Sequence, residues 1–341
     1  MSRLFEEVPE AREFCDEIIG HVSDYRLHDR ESFSELFSSV LSTSQIDMQG
    51  DAFAPNALEQ MAAQVSREPV WLGFNHDPLV PPLGRIVAAK VFFAPQSQLY
   101  FMTGVIGRYE ASSYTSFATL QPQSGQLATA DIPRPEGPLA TLAFNPHEIS
   151  ADDVRDVLED APDFVARKPV FAFRKAADPI VVITVIVSAW LLTKNPFTEK
   201  FLQKHGEAAG ELSLGLMKWL KGKVLALIAR LRKPRVLLEI HSPFNNCLVD
   251  FVVDSQDVTV LTTALEHVQQ ACPGAYALVM QVKEWEPQRV VYVWEKSIGK
   301  WLPLYVTSKR GVITDRPYLL AVEWRGLSVA GTARVVNQRV E

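Results

Sequence analysis

Apolar residues return at helical spacing twice near the start of the chain. In residues 10–19, Phe14 and Ile18 share one face, and in residues 32–41 Phe33, Leu36 and Leu41 follow Ser32, a good N-cap. Both stretches predict helix, giving a helical segment over residues 1–45. From residue 70 the pattern shortens to β-rich runs broken by proline and glycine. Residues 70–74, 85–93, 99–102 and 139–144 therefore predict strands. Residues 121–138, rich in Gln, Pro, Gly and Ser, predict a loop. Ser150, followed by Asp152 and Asp153, predicts the cap and first turn of a helix reaching about Asp160, since acidic side chains suit the positive end of the helix dipole.

The centre of the chain changes character. Residues 180–192 carry no charge, yet the run is short of the roughly 20 residues that span a bilayer. Its β-branched residues are compatible with a buried strand, while Ala189-Trp190-Leu191-Leu192 favours a helix. Residues 210–235 predict an amphipathic helix, with Leu212, Leu216, Trp219, Leu220, Leu227 and Leu231 set among Lys218, Lys221, Lys223, Arg230, Arg232 and Lys233. No acidic residue falls between Leu212 and Leu238. Besides a nucleic-acid-binding helix, two readings stay open. One is a core helix followed by a basic helix with a solvated face. The other is a membrane-directed segment, in which Ile183, Ile186 and Trp190 enter the bilayer and Lys218, Trp219, Lys221 and Lys223 meet anionic headgroups.

The last hundred or so residues return to alternation. Strands are predicted at 235–241, 248–253, 277–282, 289–294, 304–307, 318–324 and 332–336, and a helix at 258–271 ended by Cys272-Pro273-Gly274. Ser308-Lys309-Arg310-Gly311 suits a hairpin turn better than a phosphate loop. The expected fold class is α+β. A β-rich domain over 46–165 follows the helical start, then apolar and basic helices over 178–235, then an α+β domain over 236–341 with a mostly antiparallel sheet.

Composition narrows the function classes. At 341 residues, with 47% hydrophobic and 22% charged residues, the chain has ordinary globular composition and room for two cores. The net charge of −6 is unevenly held: the first half is strongly acidic, residues 178–235 are net basic, and the remainder is near neutral. An acidic first half repels phosphates, so nucleic acid is not expected as a partner. Cys15, Cys247 and Cys272 are odd in number and widely spaced, which argues against disulfides and a zinc site and points to a reducing, cytoplasmic setting. Residues 1–17 lack the apolar core of a signal peptide. His21 and His28 have no carboxylate at a spacing that would complete a metal site, and His147-Glu148 reads as a surface feature. Neither a metal nor a cofactor is expected.

Gly50, Asp51, Pro55, Ala57, Leu58, His76, Asp77, Pro82, Gly84 and Arg85 form an ordered series. It resembles the opening of the prohead proteases, the capsid-maturation serine proteases of tailed phages, over roughly a third of the chain. The resemblance implies that His76 is the general base, with Asp77 and Arg85 beside it in a ligand cleft. A serine within hydrogen-bond reach of that imidazole would be the nucleophile. Ser112, Ser113, Ser116 and Ser124 are candidates, and Ser116, between Thr115 and Phe117, has the most apolar context. The family's serine strand is instead best matched by residues 142–146, where Ala143 stands at the nucleophile position. That alignment implies a protease fold without a protease.

Two function classes follow. The first is a protein-binding effector or adaptor whose protease-like domain is catalytically degenerate. It would recognise a protein or peptide ligand at the inner face of an anionic membrane, alone or as a homo-oligomer, in bacterial phage defence. The second is an active serine endopeptidase using His76 and Ser116.

Overall fold

The computed structural model describes residues 2–46, 52–73, 77–120, 136–146, 148–171, 180–193, 207–231 and 235–315. The chain divides into two compact units, Met1–Phe117 with Thr307–Glu341, and Ala118–Val306. The expected α+β class holds: one sheet is mostly antiparallel and the other mixed. The expected boundaries do not. Residues 46–165 are shared between the two units, because the strand at 140–144 pairs with the strand at 180–187 and not with the strands at 84–109.

In the first unit, α1 (Ser2–Glu7) and α2 (Pro9–Gly20) precede β1 (Phe33–Thr43), α3 (Pro55–Arg67), β2 (Val70–Trp71), β3 (Gly84–Ala94), β4 (Leu99–Tyr109) and β5 (Tyr114–Thr115). The sheet order is β1-β4-β3-β2. Cys15 and Ile18 of α2 pack on Val87 and Val105. Leu58 and Ala62 of α3 pack on Met102, on the opposite face. With helices on both faces, β4 is buried at nearly every position, which is why its sequence runs apolar without alternation.

The helix expected over residues 32–41 is instead strand β1. It pairs antiparallel with β4 from Phe33↔Tyr109 to Thr43↔Phe101. The stretch is rich in serine, with valine and threonine at its end, so its helix propensity is low and the partner strand decides. The helix expected at 10–19 is α2.

The strand Gly311–Ile313 pairs in parallel with β5. Gly311 sits at φ +113, and a Cβ there would lie 2.8 Å from His28 Nε2, so the turn expected at 308–311 needs glycine on two counts. His28 Nε2 is buried and has no hydrogen-bond partner among the described residues. Burial lowers the His28 pKa, with the Glu31 charge pulling the other way. The unfolded chain therefore binds this proton more readily than the folded chain. The stability that His28 contributes is present above the ordinary histidine value of about 6.5 and is lost as pH falls below it. His28→Gln is expected to reduce the loss of stability between about pH 7.5 and about pH 5.5 in urea titrations. An unchanged loss would assign it to other groups.

In the second unit, β6 (Ala140–Phe144), α4 (Ala151–Glu159), β7 (Val170–Phe171), β8 (Ile180–Val187) and α5 (Ala189–Thr193) come first. They are followed by α6 (Glu207–Trp219), a π-helical turn (Leu220–Val224), α7 (Leu225–Arg230), β9 (Arg235–Phe244), β10 (Cys247–Asp254), α8 (Val258–Gln281), β11 (Pro287–Glu295) and β12 (Lys300–Ser308). The strand order is β12-β11-β10-β9-β8-β6-β7. The hairpin β9–β10 turns on Asn245 and Asn246, both at positive φ, a conformation that asparagine tolerates. The sheet is mixed, where a mostly antiparallel one was expected, because α8 carries the chain across so that β11 runs parallel to β10. The Ser150 cap on α4 is as expected, its hydroxyl accepting the Asp153 N–H.

Two expected elements differ. Residues 180–187 form strand β8 inside the sheet, pairing with β6 and β9, and only Ala189–Thr193 is helical. The β-branched run decides, since it packs well between two strands. Helix α8 continues through Pro273 to Gln281, where a strand was expected from 277. Proline costs a helix about 3 kcal/mol. Burial of Tyr276 and Val279 beyond it, on the same face as Leu265, Val268 and Cys272, offsets that cost. The strands expected at 318–324 and 332–336 lie outside the described residues.

Candidate functional site

The polar centre of the second unit is built on its sheet. Along β9, Val236, Leu238, Ile240 and Ser242 point to the face covered by α8, where Ser242 Oγ and Tyr276 Oη are 2.6 Å apart. Glu239 and His241 therefore occupy the other face. Register places Asp250 of β10 opposite His241 and Thr184 of β8 opposite Glu239. Arg289 of β11 lies opposite Leu248, on the same face as Asp250. Four adjacent strands thus deliver Thr184, Glu239, His241, Asp250 and Arg289 to one patch.

Both carboxylates are fully buried, Glu239 and Asp250 each at 0% exposure. The Thr184 hydroxyl donates to Glu239 Oε2 at 2.9 Å, and His241 Nε2 lies 2.9 Å from the same oxygen. His241 Nε2 is also 3.5 Å from Asp250 Oδ1, and Arg289 Nε donates to Asp250 Oδ2. Burial works to discharge Arg289, but the charge of Asp250, with Tyr305 and Glu239 beyond it, outweighs this and holds the guanidinium firmly charged. Asp250 is thus matched by the Arg289 guanidinium, and Glu239 by hydrogen bonds from the Thr184 hydroxyl and to the His241 ring. Among the described residues no cluster of His, Cys, Asp and Glu is arranged to hold a metal ion. Cys247, at the start of β10, is no nucleophile, since burial pushes its thiol up to about 12.

Of the residues expected to form a protease cleft, those that are described are engaged in other contacts. His76 and Ser124 lie outside the described residues. Asp77 Oδ1 accepts the Leu79 N–H at 2.9 Å, a turn-forming bond. Arg85, expected to meet a ligand, is buried. Its Nε donates to Glu31 Oε1 at 2.6 Å, and its guanidinium also donates to the Tyr25 carbonyl. Ser116 Oγ donates to Asp315 Oδ1 at 2.6 Å. Ser113 Oγ bridges the Ser32 backbone, accepting its N–H at 2.9 Å and donating to its carbonyl at 2.6 Å. Ala143, the residue at the implied nucleophile position, pairs with Thr184 and Val170 within the second unit's sheet.

The membrane-directed residues also find other partners. Ile183 is fully buried in β8, with Ile186 and Trp190 half-buried nearby. Leu216, Trp219, Leu220, Val224, Leu227 and Ile228 are buried, and Trp219 Nε1 donates to the Val157 carbonyl at 3.0 Å. Lys221 pairs with Glu266 at 2.6 Å, Lys223 with Asp160, and Arg230 with Asp156 at 3.6 Å, while Lys218 is exposed. A helix presents the same stripe to a bilayer as to a protein core, and here the core takes it. Among the described residues no helix is long and apolar enough to cross a membrane.

No family model, curated protein or solved structure matches the chain. Sequence reasoning did not single out Glu239, His241, Asp250 or Arg289. The available signal was a charge inside an apolar β-run, Leu-Leu-Glu-Ile-His on β9 and Leu-Val-Asp-Phe-Val on β10. A charge at such a position must find a partner when the strand is buried.

Proposed function

We propose that the chain acts by binding rather than by hydrolysis: an effector or adaptor that takes a protein or peptide ligand, with a protease-like but catalytically degenerate first unit. The resemblance to the capsid-maturation proteases adds a setting, a bacterial response to phage. The observation that carries the reading is the bond from Ser116 Oγ to Asp315 Oδ1. That oxygen also accepts the Phe117 N–H at 2.9 Å, so a carboxylate distant in sequence holds the serine hydroxyl and the next backbone N–H together. A carboxylate is a weaker base than an imidazole and draws the serine proton poorly. Ser113, engaged on both sides by Ser32, is no better placed to attack a carbonyl.

The purified protein is therefore expected to show no self-cleavage and no labelling by a serine-reactive fluorophosphonate probe, with His76→Ala indistinguishable from the parent. Labelling that disappears in Ser116→Ala or His76→Ala would establish the endopeptidase instead.

A further inference from the structure

We propose that His241 and Arg289 form a binding site for an oxyanion, the phosphate or carboxylate head of a small ligand. The site lies wholly within the second unit and does not depend on the serine question. Its basis is an asymmetry of burial. The carboxylates of Glu239 and Asp250 are fully buried, whereas the side chains of His241 and Arg289 keep 18% and 33% of their surface exposed. Burying a carboxylate costs several kcal/mol even when it is paired, and an apolar residue would fill the space as stably. Here the two acids stand behind the imidazole and the guanidinium and fix their orientation.

Each of the two side chains is held by one edge. Glu239 Oε2 engages His241 through Nε2, and Asp250 Oδ2 engages Arg289 through Nε. Among the described residues, no hydrogen bond takes the Arg289 Nη atoms or His241 Nδ1. None of these is among the buried polar atoms left without a partner, so they reach solvent. The two side chains converge, since His241 lies at one oxygen of Asp250 and Arg289 at the other. A guanidinium fork anchored at Nε presents its outer N–H groups to a second pair of oxygens, the geometry in which arginine takes phosphate or carboxylate. Thr184 supports the site from behind by donating to Glu239.

The test is NMR of the full chain, following the His241 ring and Arg289 side-chain signals while inorganic phosphate and, separately, acetate are added. Saturable shifts with either anion are expected, and the better binder identifies the head group. Arg289→Lys retains a charge for Asp250 but loses the fork, and is expected to weaken binding about tenfold, the equivalent of one charge-assisted hydrogen bond. His241→Gln is the second variant, keeping a donor toward Glu239 without the ring. Lys296→Gln, an exposed charge in the same unit, should leave binding unchanged. Shifts that stay linear with both anions, or that persist undiminished in Arg289→Lys and His241→Gln, would overturn the proposal.

Discussion

Arg85→Ala is expected to destabilise the first unit by about 3–5 kcal/mol, the usual cost of removing one partner from a buried ion pair. The Glu31 carboxylate is fully buried and gathers three groups besides the Arg85 guanidinium contact at Nη2: Arg85 Nε at 2.6 Å, Tyr109 Oη at 2.9 Å and the Leu27 N–H at 2.8 Å. Alanine would leave that charge without its cation and free the Tyr25 carbonyl. The contact of the guanidinium with the Phe33 ring, 5.7 Å from its centroid, would go too. Urea titration of the variant measures the loss. The double variant Glu31→Gln, Arg85→Met should recover a large part of it, because the orphaned charge is gone. A loss below about 1 kcal/mol for the single variant would return Arg85 to the ligand-facing role that the sequence suggested.

Gly84→Ala is expected to cost about 3 kcal/mol, the upper end of overpacking, because the obstacle is backbone. A Cβ at this position would lie 1.9 Å from the Gly107 carbonyl oxygen and 2.9 Å from its carbon. Strand β3 would have to separate from β4 at the pairs Gly84↔Arg108 and Arg85↔Gly107, next to the Glu31 ion pair. Gly73→Ala is the control, since nothing among the described residues lies within 4 Å of a Cβ there, and it should change stability by less than about 0.5 kcal/mol. Comparable midpoint shifts in the two variants would show that the β3–β4 approach does not limit stability.

Together these two positions account for the Gly84-Arg85 pair on which the protease resemblance leaned. Both residues have strong packing reasons to be what they are: close strand approach for one, and neutralisation of a buried acid for the other. A motif read as part of a cleft can equally record a fold requirement. Only the partner at residue 31, distant in sequence, tells the two apart. The same holds for the basic helix. Its periodicity is plain in the sequence, but the acids that receive Lys221, Lys223 and Arg230 lie on α4, just beyond its end, and on α8. No local pattern announces them.

The polar centre of the second unit was legible only in outline. Glu239 and Asp250 stand out as charges within apolar β-runs, but their meeting depends on the β9–β10 register set by the Asn245-Asn246 turn. Arg289 is brought in by the parallel placement of β11 after a long helix. Patterns within one element survive translation from sequence to structure, and pairings between elements do not.

The sequence alone determined the α+β class, the helix at α2, the capped helix α4, the strands β3, β4, β9 and β10 and the amphipathic character of α6 and α7. Each follows from local periodicity, capping or turn chemistry acting within a dozen or so residues. Tertiary structure decided that residues 33–43 are a strand, that residues 180–187 lie inside a sheet, that α8 passes through Pro273, and that the unit boundary falls between β5 and β6. In each case local preference was weak or divided, and burial against a partner distant in sequence supplied the larger free energy.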